Sequence, residues 1–370
     1  MKGYTARTAD RTADKKTVIL PFEFTCSPLK KLALINFEND PDNKYIALEP
    51  QYISGDQTGQ GFRVIAYRND GYVDVYDDFS LQDENDGRFD VTGRGLNERK
   101  KVKISNTCFK ETRNGLILSF EFKDKYERKI SLKISEQTEK KTRGVNLLAP
   151  VGSTTINPSY LPLFFLYKFD FIRRSKTDVK LTIDGRPHEL DSFPYPVPKD
   201  FQRRYFTRYS HDCQIIEFAH AGQKILVEHE IINGSMSTNN KEILVSPAGE
   251  LKKMQHKKGD HNFSIKFRPA FPDIRNLAEG KRYNGVLKIY SDPVMGSLSG
   301  DYWIGREKNT VKLKMNINEG WSPVTDSIFT KLMFGKKSVF CSWPKSYYYK
   351  QEIDLTSLES SSSWENKNII

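Results

Sequence analysis

Apolar and polar residues alternate at every second position through most of this chain, and no other feature constrains the fold as strongly. In LILSFEF, Leu116, Leu118, Phe120 and Phe122 share one face. In KISLKI, Ile130, Leu132 and Ile134 do the same, so the two segments predict a hairpin around KDKYER. Val179, Leu181 and Ile183 alternate with Lys180 and Thr182, and Asp184-Gly185 then supplies a type I′ turn. Phe263/Ile265/Phe267 and Val311/Leu313/Met315/Ile317 repeat the pattern. A period of two is the signature of strands, whose successive side chains point to opposite faces.

Further short strands are read at 62–67, 72–76, 214–219, 224–232, 286–290 and 299–304, with Asn-Gly and Asp-Gly turns between many of them. Helix signals are confined to 272–277 and 326–333. Without alternation of strand and helix, a doubly wound or β/α-barrel fold is disfavoured. The predicted class is all-β: two lipocalin-like β-barrels or sandwiches packed side by side, with antiparallel strands. A flexible tail is expected over 1–18, an N-terminal β domain over 19–152, a C-terminal β domain over 153–356 and a second, Ser-rich tail over 357–370. The boundary is placed in NLLAPVGSTTINPS. The next segment, SYLPLFFLYKFDFIRR, is the most hydrophobic in the chain and predicts a strand buried on both faces.

Several function classes find no support. No apolar run is long enough for a membrane span, and MKGYTARTADRTADKK has no apolar leader core, so a cytoplasmic location is expected. Cys26, Cys108, Cys213 and Cys341 lie far apart with no zinc spacing, and read as small core residues in a reducing compartment. No Walker loop, GxGxxG, GxSxG or HExxH occurs, so no cofactor and no metal are expected. The net charge is +11, but Lys and Arg are spread along the chain beside acids. Specific nucleic-acid binding is therefore not expected.

Candidate site residues come from strands that carry polar aromatics. In FQRRYFTRYSHD, alternation puts Tyr205, Thr207, Tyr209 and His211 in one row, opposite Arg204, Phe206 and Arg208. Phenols and an imidazole lining a cavity can donate hydrogen bonds or move protons, so Tyr205, Tyr209 and His211 are the catalytic candidates. Tyr72, Asp74 and Tyr76 share a face of another strand, and together with Trp303 and Arg208 they are the ligand-binding candidates. His220 and His229 are placed in strands expected to neighbour each other. The acidic loop DENDGRFD departs from the EF-hand spacing.

The strand order, the passage LFFLYKFDFIRRSKTDVKLTIDGRPHEL and the later GVLKIYSDPVMGSLSGDYWIGR resemble the lipocalin-like hydroxyneurosporene synthases (carotenoid hydratases) and AttH-type proteins over about a third of the chain. The resemblance implies two β-barrel-like halves with a central crossing segment. Where that family has an acidic, tryptophan-rich passage, this chain has FPYPVPKDFQRRYF, so no catalytic residue is carried over. The expected function is binding of an apolar or isoprenoid-like small molecule, with cofactor-free hydratase, cyclase or isomerase activity as the chemistry open to it. The alternative is a non-catalytic β-sandwich module that binds carbohydrate or protein. The oligomeric state is not legible.

Overall fold

The computed structural model describes residues 14–82, 94–139, 144–149, 156–193, 202–238, 240–259, 261–292, 295–325, 328–335 and 347–367. They form, in chain order, β1 Lys15–Ile19, β2 Phe24–Cys26, β3 Leu29–Asn36, β4 Tyr45–Gly55, β5 Gly59–Arg68, β6 Val73–Asp78, β7 Leu96–Val102, β8 Ser105–Thr112 and β9 Gly115–Lys123. There follow β10 Lys129–Glu136, β11 Val145–Ala149, β12 Leu161–Arg173, β13 Thr177–Ile183, β14 Arg186–His188, β15 Arg204–Ser210, β16 Asp212–Phe218, β17 Gly222–Ile225 and β18 Glu228–Ile232. The remainder is β19 Ser235–Thr238, β20 Lys241–Val245, β21 Leu251–Lys258, β22 His261–Phe271, β23 Arg282–Asp292, β24 Ser297–Glu307, β25 Thr310–Ser322, β26 Tyr347–Asp354 and β27 Glu359–Asn366. Helix is limited to a 3₁₀ turn at Ile274–Asn276 and α1 Ile328–Phe334, both within or beside the segments that carried helix signals. The protein is all-β.

The chain divides into two compact units that interleave in sequence. The first comprises residues 1–22, 222–316 and 349–362, and the second 23–221, 317–348 and 363–370. The expected boundary after residue 152 lies inside the second unit. There β3 pairs with β15 and β2 with β16, so strands from either side of that point share one sheet.

In the second unit, one sheet runs β2-β16-β12-β15-β3-β4-β5-β6-β7, with β11 added on β12, and another runs β14-β13-β10-β9-β8. Ala33, Ile35, Leu48 and Val64 of the first sheet and Leu118, Phe120, Ile130 and Leu132 of the second belong to one buried cluster. This is face-to-face packing of two sheets, the sandwich form of the expectation. The β9–β10 hairpin has the expected register, with Phe122 opposite Ile130 and Phe120 opposite Leu132. The Asp184-Gly185 turn has both φ values positive, at 51° and 79°, as a type I′ turn requires. On the other face of the larger sheet, Leu32, Ile53, Leu166, Phe169, Phe171 and Ile215 form a second cluster, so β12 is buried on both faces as its sequence implies.

The first unit is a meander in which β18 to β27 follow one another in sequence order, with β1 outside β18 and β17 outside β27. The β17 and β18 strands are consecutive, separated by Leu226 and Val227. Among the described residues none of the three sheets closes into a barrel. Along β22–β25, Ile265, Phe267, Leu287, Ile289, Leu298, Tyr302, Leu313 and Met315 turn inward and are buried.

The two expected tails differ from the structure. Residues 15–19 form β1, paired with β18, while residues 1–13 lie outside the described residues. The Ser-rich segment after residue 357 is β27, with Ser360, Trp364 and Asn366 buried. Its serines are small enough to face other side chains inward. Ser360 Oγ accepts from Gln351 Nε2 at 2.6 Å, and Trp364 Nε1 donates to the Ala219 carbonyl at 2.7 Å. Cys26 and Cys108 are partly buried and Cys213 is buried, while Cys341 lies outside the described residues.

Candidate functional site

Two places gather polar aromatic and charged side chains. The first is a loop end of the second unit, formed by the turns of β3–β4, β5–β6 and β9–β10 with the start of β7. Asp74 is 1% exposed. Its carboxylate accepts from Asn97 Nδ2 at 2.7 Å, Lys125 Nζ at 2.9 Å, Arg68 Nη1 at 3.2 Å and Tyr45 Oη at 3.4 Å. Tyr45 and Tyr76 share a hydroxyl–hydroxyl bond of 2.7 Å, and the Lys125 N–H donates to Tyr76 Oη. Beneath Tyr126, the buried Asp124 accepts from the N–H groups of Tyr126 and Arg128 and from Arg128 Nε, while Arg128 Nη1 reaches Asp42 at 2.9 Å.

Local sequence sets this up. The β5–β6 hairpin turns on Asn69-Asp70-Gly71, with Gly71 at φ 85°, and the exposed Asp70 accepts from the mostly buried Arg68. Alternation in β6 then sends Asp74 and Tyr76 to the same side. An isolated buried carboxylate costs several kcal/mol, and only close cations and hydrogen bonds offset that. Here they are present in number.

Electrostatics at this end follow from the same packing. Burial pushes the Tyr45 phenol far above its ordinary value, helped by Tyr76 and the nearby carboxylates. Burial also raises Tyr76, against its bond with Tyr45 and the one it accepts from the Lys125 N–H. Burial alone lowers Lys125, but the bond and charge of Asp74 outweigh it and the amine is held above its usual range. Asp70, bonded to Arg68, falls to about 2. Both phenols stay protonated and Lys125 stays charged at neutral pH. This end is equipped to hold its own charges in place, not to exchange protons.

The structure brings Asp74 and Tyr76 together and leaves Tyr72 half-exposed at the turn. Sequence reading missed Tyr45, Arg68, Asn97, Lys125 and Arg128. KDKYER looks like a solvated turn, and only the fold reveals that Lys125 and Arg128 reach back to acids from other hairpins.

In the row Tyr205/Tyr209/His211 the rings of Tyr209 and His211 lie against each other, as the expected facing requires. Tyr209 is fully buried in the sandwich core, and Tyr205 packs on the same core beneath the Arg174 guanidinium at 5.0 Å. The His211 ring stands edge-on to Tyr209 and Phe109, each at 5.3 Å. On the opposite face Arg208 lies over the Phe206 ring at 4.5 Å. Behind it Glu49 accepts from Tyr67 Oη at 2.6 Å and Gln51 Nε2 at 2.8 Å. Burial raises the Glu49 carboxyl, and these bonds and the Arg208 charge offset that only in part.

His220 and His229 do not face each other across a hairpin, since β17 pairs with β27 and β18 with β1 and β19. His220 follows β16 in the second unit, where its Nε2 lies 2.9 Å from Thr25 Oγ1 and 3.4 Å from Glu217. His229 lies in β18 of the first unit, opposite Val18. Among the described residues no group of three or more His, Cys, Asp or Glu is placed to hold a metal ion. The acidic loop 83–90 and the Pro-rich FPYPVPKD, apart from Phe193, lie outside the described residues. A cleft of about 500 Å³ is lined by Arg113, Asn114, Thr138, Glu139 and Lys176, and is polar and open to solvent. It contains none of the expected site residues.

The second place is the outward face of β22–β25. Trp303 is 41% exposed there. Asn284 stands directly across from it on β23, and Val286 pairs with Asp301 one step along. Lys288 lies opposite Ser299 on one side and opposite Lys266 on the other, and Arg268 lies opposite Val286. Arg282, Lys288, Lys312 and Lys314 are exposed. Lys266 Nζ sits 5.1 Å above the Tyr290 ring. Asp301, Glu307 and Glu319 are solvent-accessible acids of β24 and β25, and Glu307 is paired with Lys312 at 2.7 Å.

The fold and these two places define an all-β protein of two units, one with an internally compensated polar end and one with an open aromatic and basic face. Compared with known proteins, the chain matches no family model, no curated protein and no solved structure. No helix among the described residues is long and apolar enough to cross a membrane.

Proposed function

We propose that this protein is a non-catalytic binding module that takes carbohydrate on the outward face of β23 and β24. The observation that carries the reading is Trp303: an exposed indole on a sheet face, with Asn284 directly opposite, Asp301 two residues away on the same face and Ser299 beyond it. A flat ring beside short polar side chains suits a sugar, which presents an apolar C–H face and a rim of hydroxyls. Trp is also the side chain whose truncation most often removes binding energy at an exposed site.

The expected uptake of an apolar small molecule makes the opposite demand on the molecule. It needs inward positions that no side chain fills, with polar anchors left over for the ligand. Tyr209, the proposed anchor, is instead part of the packed sandwich core, and Asp74 is held by Asn97, Lys125 and Arg68. That commitment of the inner groups favours the surface reading.

The test is a glycan array with the wild type and Trp303→Ala, followed by titration of each hit. Binding by the wild type with at least tenfold loss in the variant is expected. A wild type that binds no glycan, yet saturates with a lipophilic fluorescent probe, would overturn the reading in favour of the apolar ligand.

A further inference from the structure

Resting on the carbohydrate reading, we infer that the ligand is an acidic polysaccharide, its carboxylate or sulfate groups held by Arg268, Lys288 and Lys266 beside the Trp303 ring. Three observations carry this.

First, the cations are in register. Lys266 and Lys288 are directly opposite one another across β22–β23, and Arg268 is opposite Val286. Neighbouring strands lie about 4.8 Å apart and same-face residues two apart along a strand about 6.8 Å. The three cations and Trp303 therefore fall within the footprint of a few sugar residues.

Second, the arrangement is costly without an anion. Like charges directly opposite on a sheet face are destabilising. The Tyr290 ring accommodates Lys266, but among the described residues no carboxylate is bonded to Lys288 as Glu307 is to Lys312. An anion between Lys266 and Lys288 converts repulsion into two attractions.

Third, the aromatic content is wrong for the main competitor. Single-stranded nucleic acid is held by a basic groove with successive aromatic rings on which bases stack. This face has one exposed indole, and its next ring, Tyr290, already lies under Lys266. One ring among cations fits a chain of charged sugars better than a stack of bases.

The test compares de-esterified polygalacturonate, the same backbone fully methyl-esterified, and oligothymidylate. Each is titrated at low and high salt against the full chain by tryptophan fluorescence and calorimetry. The variants are Arg268→Glu/Lys288→Glu on the face and, as a control of equal charge change, Lys133→Glu/Lys180→Glu on β10 and β13 of the other unit. Polygalacturonate is expected to bind with an affinity that falls at least tenfold from low to high salt. The face variant should lose at least tenfold, the control less than twofold, and both should keep the wild-type unfolding transition. Equal binding of the methyl-esterified backbone overturns the acidic class while leaving the carbohydrate reading standing. Equal loss in both variants overturns the site, since net charge alone would then account for binding. Binding of oligothymidylate with neither polysaccharide overturns both.

Discussion

The Asp74 end of the second unit and the Trp303 face of the first are built from the same kinds of side chain: aromatic rings, lysines, arginines and a few acids. At Asp74 each cation meets a carboxylate: Arg68 and Lys125 meet Asp74, and Arg128 meets Asp42 and Asp124. On the Trp303 face Lys288 stands opposite Lys266 and Arg268 opposite a valine. A third region calibrates the contrast. The outward face of β9, β10 and β13 is also rich in lysine and also sets Lys133 opposite Lys180. Yet Lys129 there pairs with Glu121 and Lys123 with Glu127, and the described outward residues of those strands include no exposed aromatic ring. Lysines alone read as a solvated face that keeps a sheet from pairing with others. The feature that sets the Trp303 face apart from this one is the ring left in the open beside its cations.

The largest effect should come from breaking compensation at the buried end. Asp74→Asn leaves Lys125 and Arg68, both mostly buried, facing a neutral amide. Removing one partner of a buried ion pair costs about 3–5 kcal/mol, so urea unfolding should show a loss of that size in the second unit. A loss below about 1 kcal/mol would mean that this end behaves as a surface network, and the comparison would fail. Trp303→Ala should do the reverse. Exposed positions tolerate substitution within about 0.5 kcal/mol, so the unfolding midpoint should hold while glycan binding is lost. Tm and binding measured on the same preparations test both halves together.

Gly115 offers a smaller break nearby. Its φ of 130° lies where side chains are strained, and a Cβ there would meet Glu136 Oε2 at 2.2 Å. Glu136 is itself buried, accepting from the N–H groups of Leu116 and Arg173. Gly115→Ala should destabilise by about 1–3 kcal/mol, read as a lower urea midpoint. A midpoint unchanged from wild type would show that the hairpin relaxes around the added methyl group.

How much of this was legible depends on how far the causes lie along the chain. The strands at 116–122 and 130–134 were readable because alternation and a short turn are local, and their register followed. The two-sided burial of β12 was readable from an unbroken apolar run. Serine-rich β27 was not, because its strand state comes from Trp364, Gln351 and neighbouring strands, and tertiary contacts override weak strand preference. Asp74 and Tyr76 could be placed on one face, but their depth could not. It depends on Lys125 and Asn97, which approach from other hairpins. Trp303 and Lys288 were visible as residues. Their proximity needed the β23–β24 register, and a slip by one residue would have turned them inward.

The smallest effect sharpens the comparison at its midpoint. Glu49 is half-buried and bonded to Tyr67 and Gln51, with Arg208 near but no direct ion pair described. Burial therefore leaves its folded pKa above the unfolded value. The sign follows from that. Below the unfolded pKa the carboxyl is protonated in both states and contributes no pH-dependent difference. As pH rises through the folded pKa, the folded state is charged at a cost that the unfolded state does not bear, and stability falls. Glu49→Gln keeps an acceptor for Tyr67 and removes that charge. Its stability relative to wild type should be lowest at acid pH and rise as pH climbs from the unfolded to the folded pKa, then level off, measured as urea midpoints across the range. A flat difference would show that Glu49 is as fully compensated as Asp74. Compensation would then be general in the second unit and not a mark of its loop end.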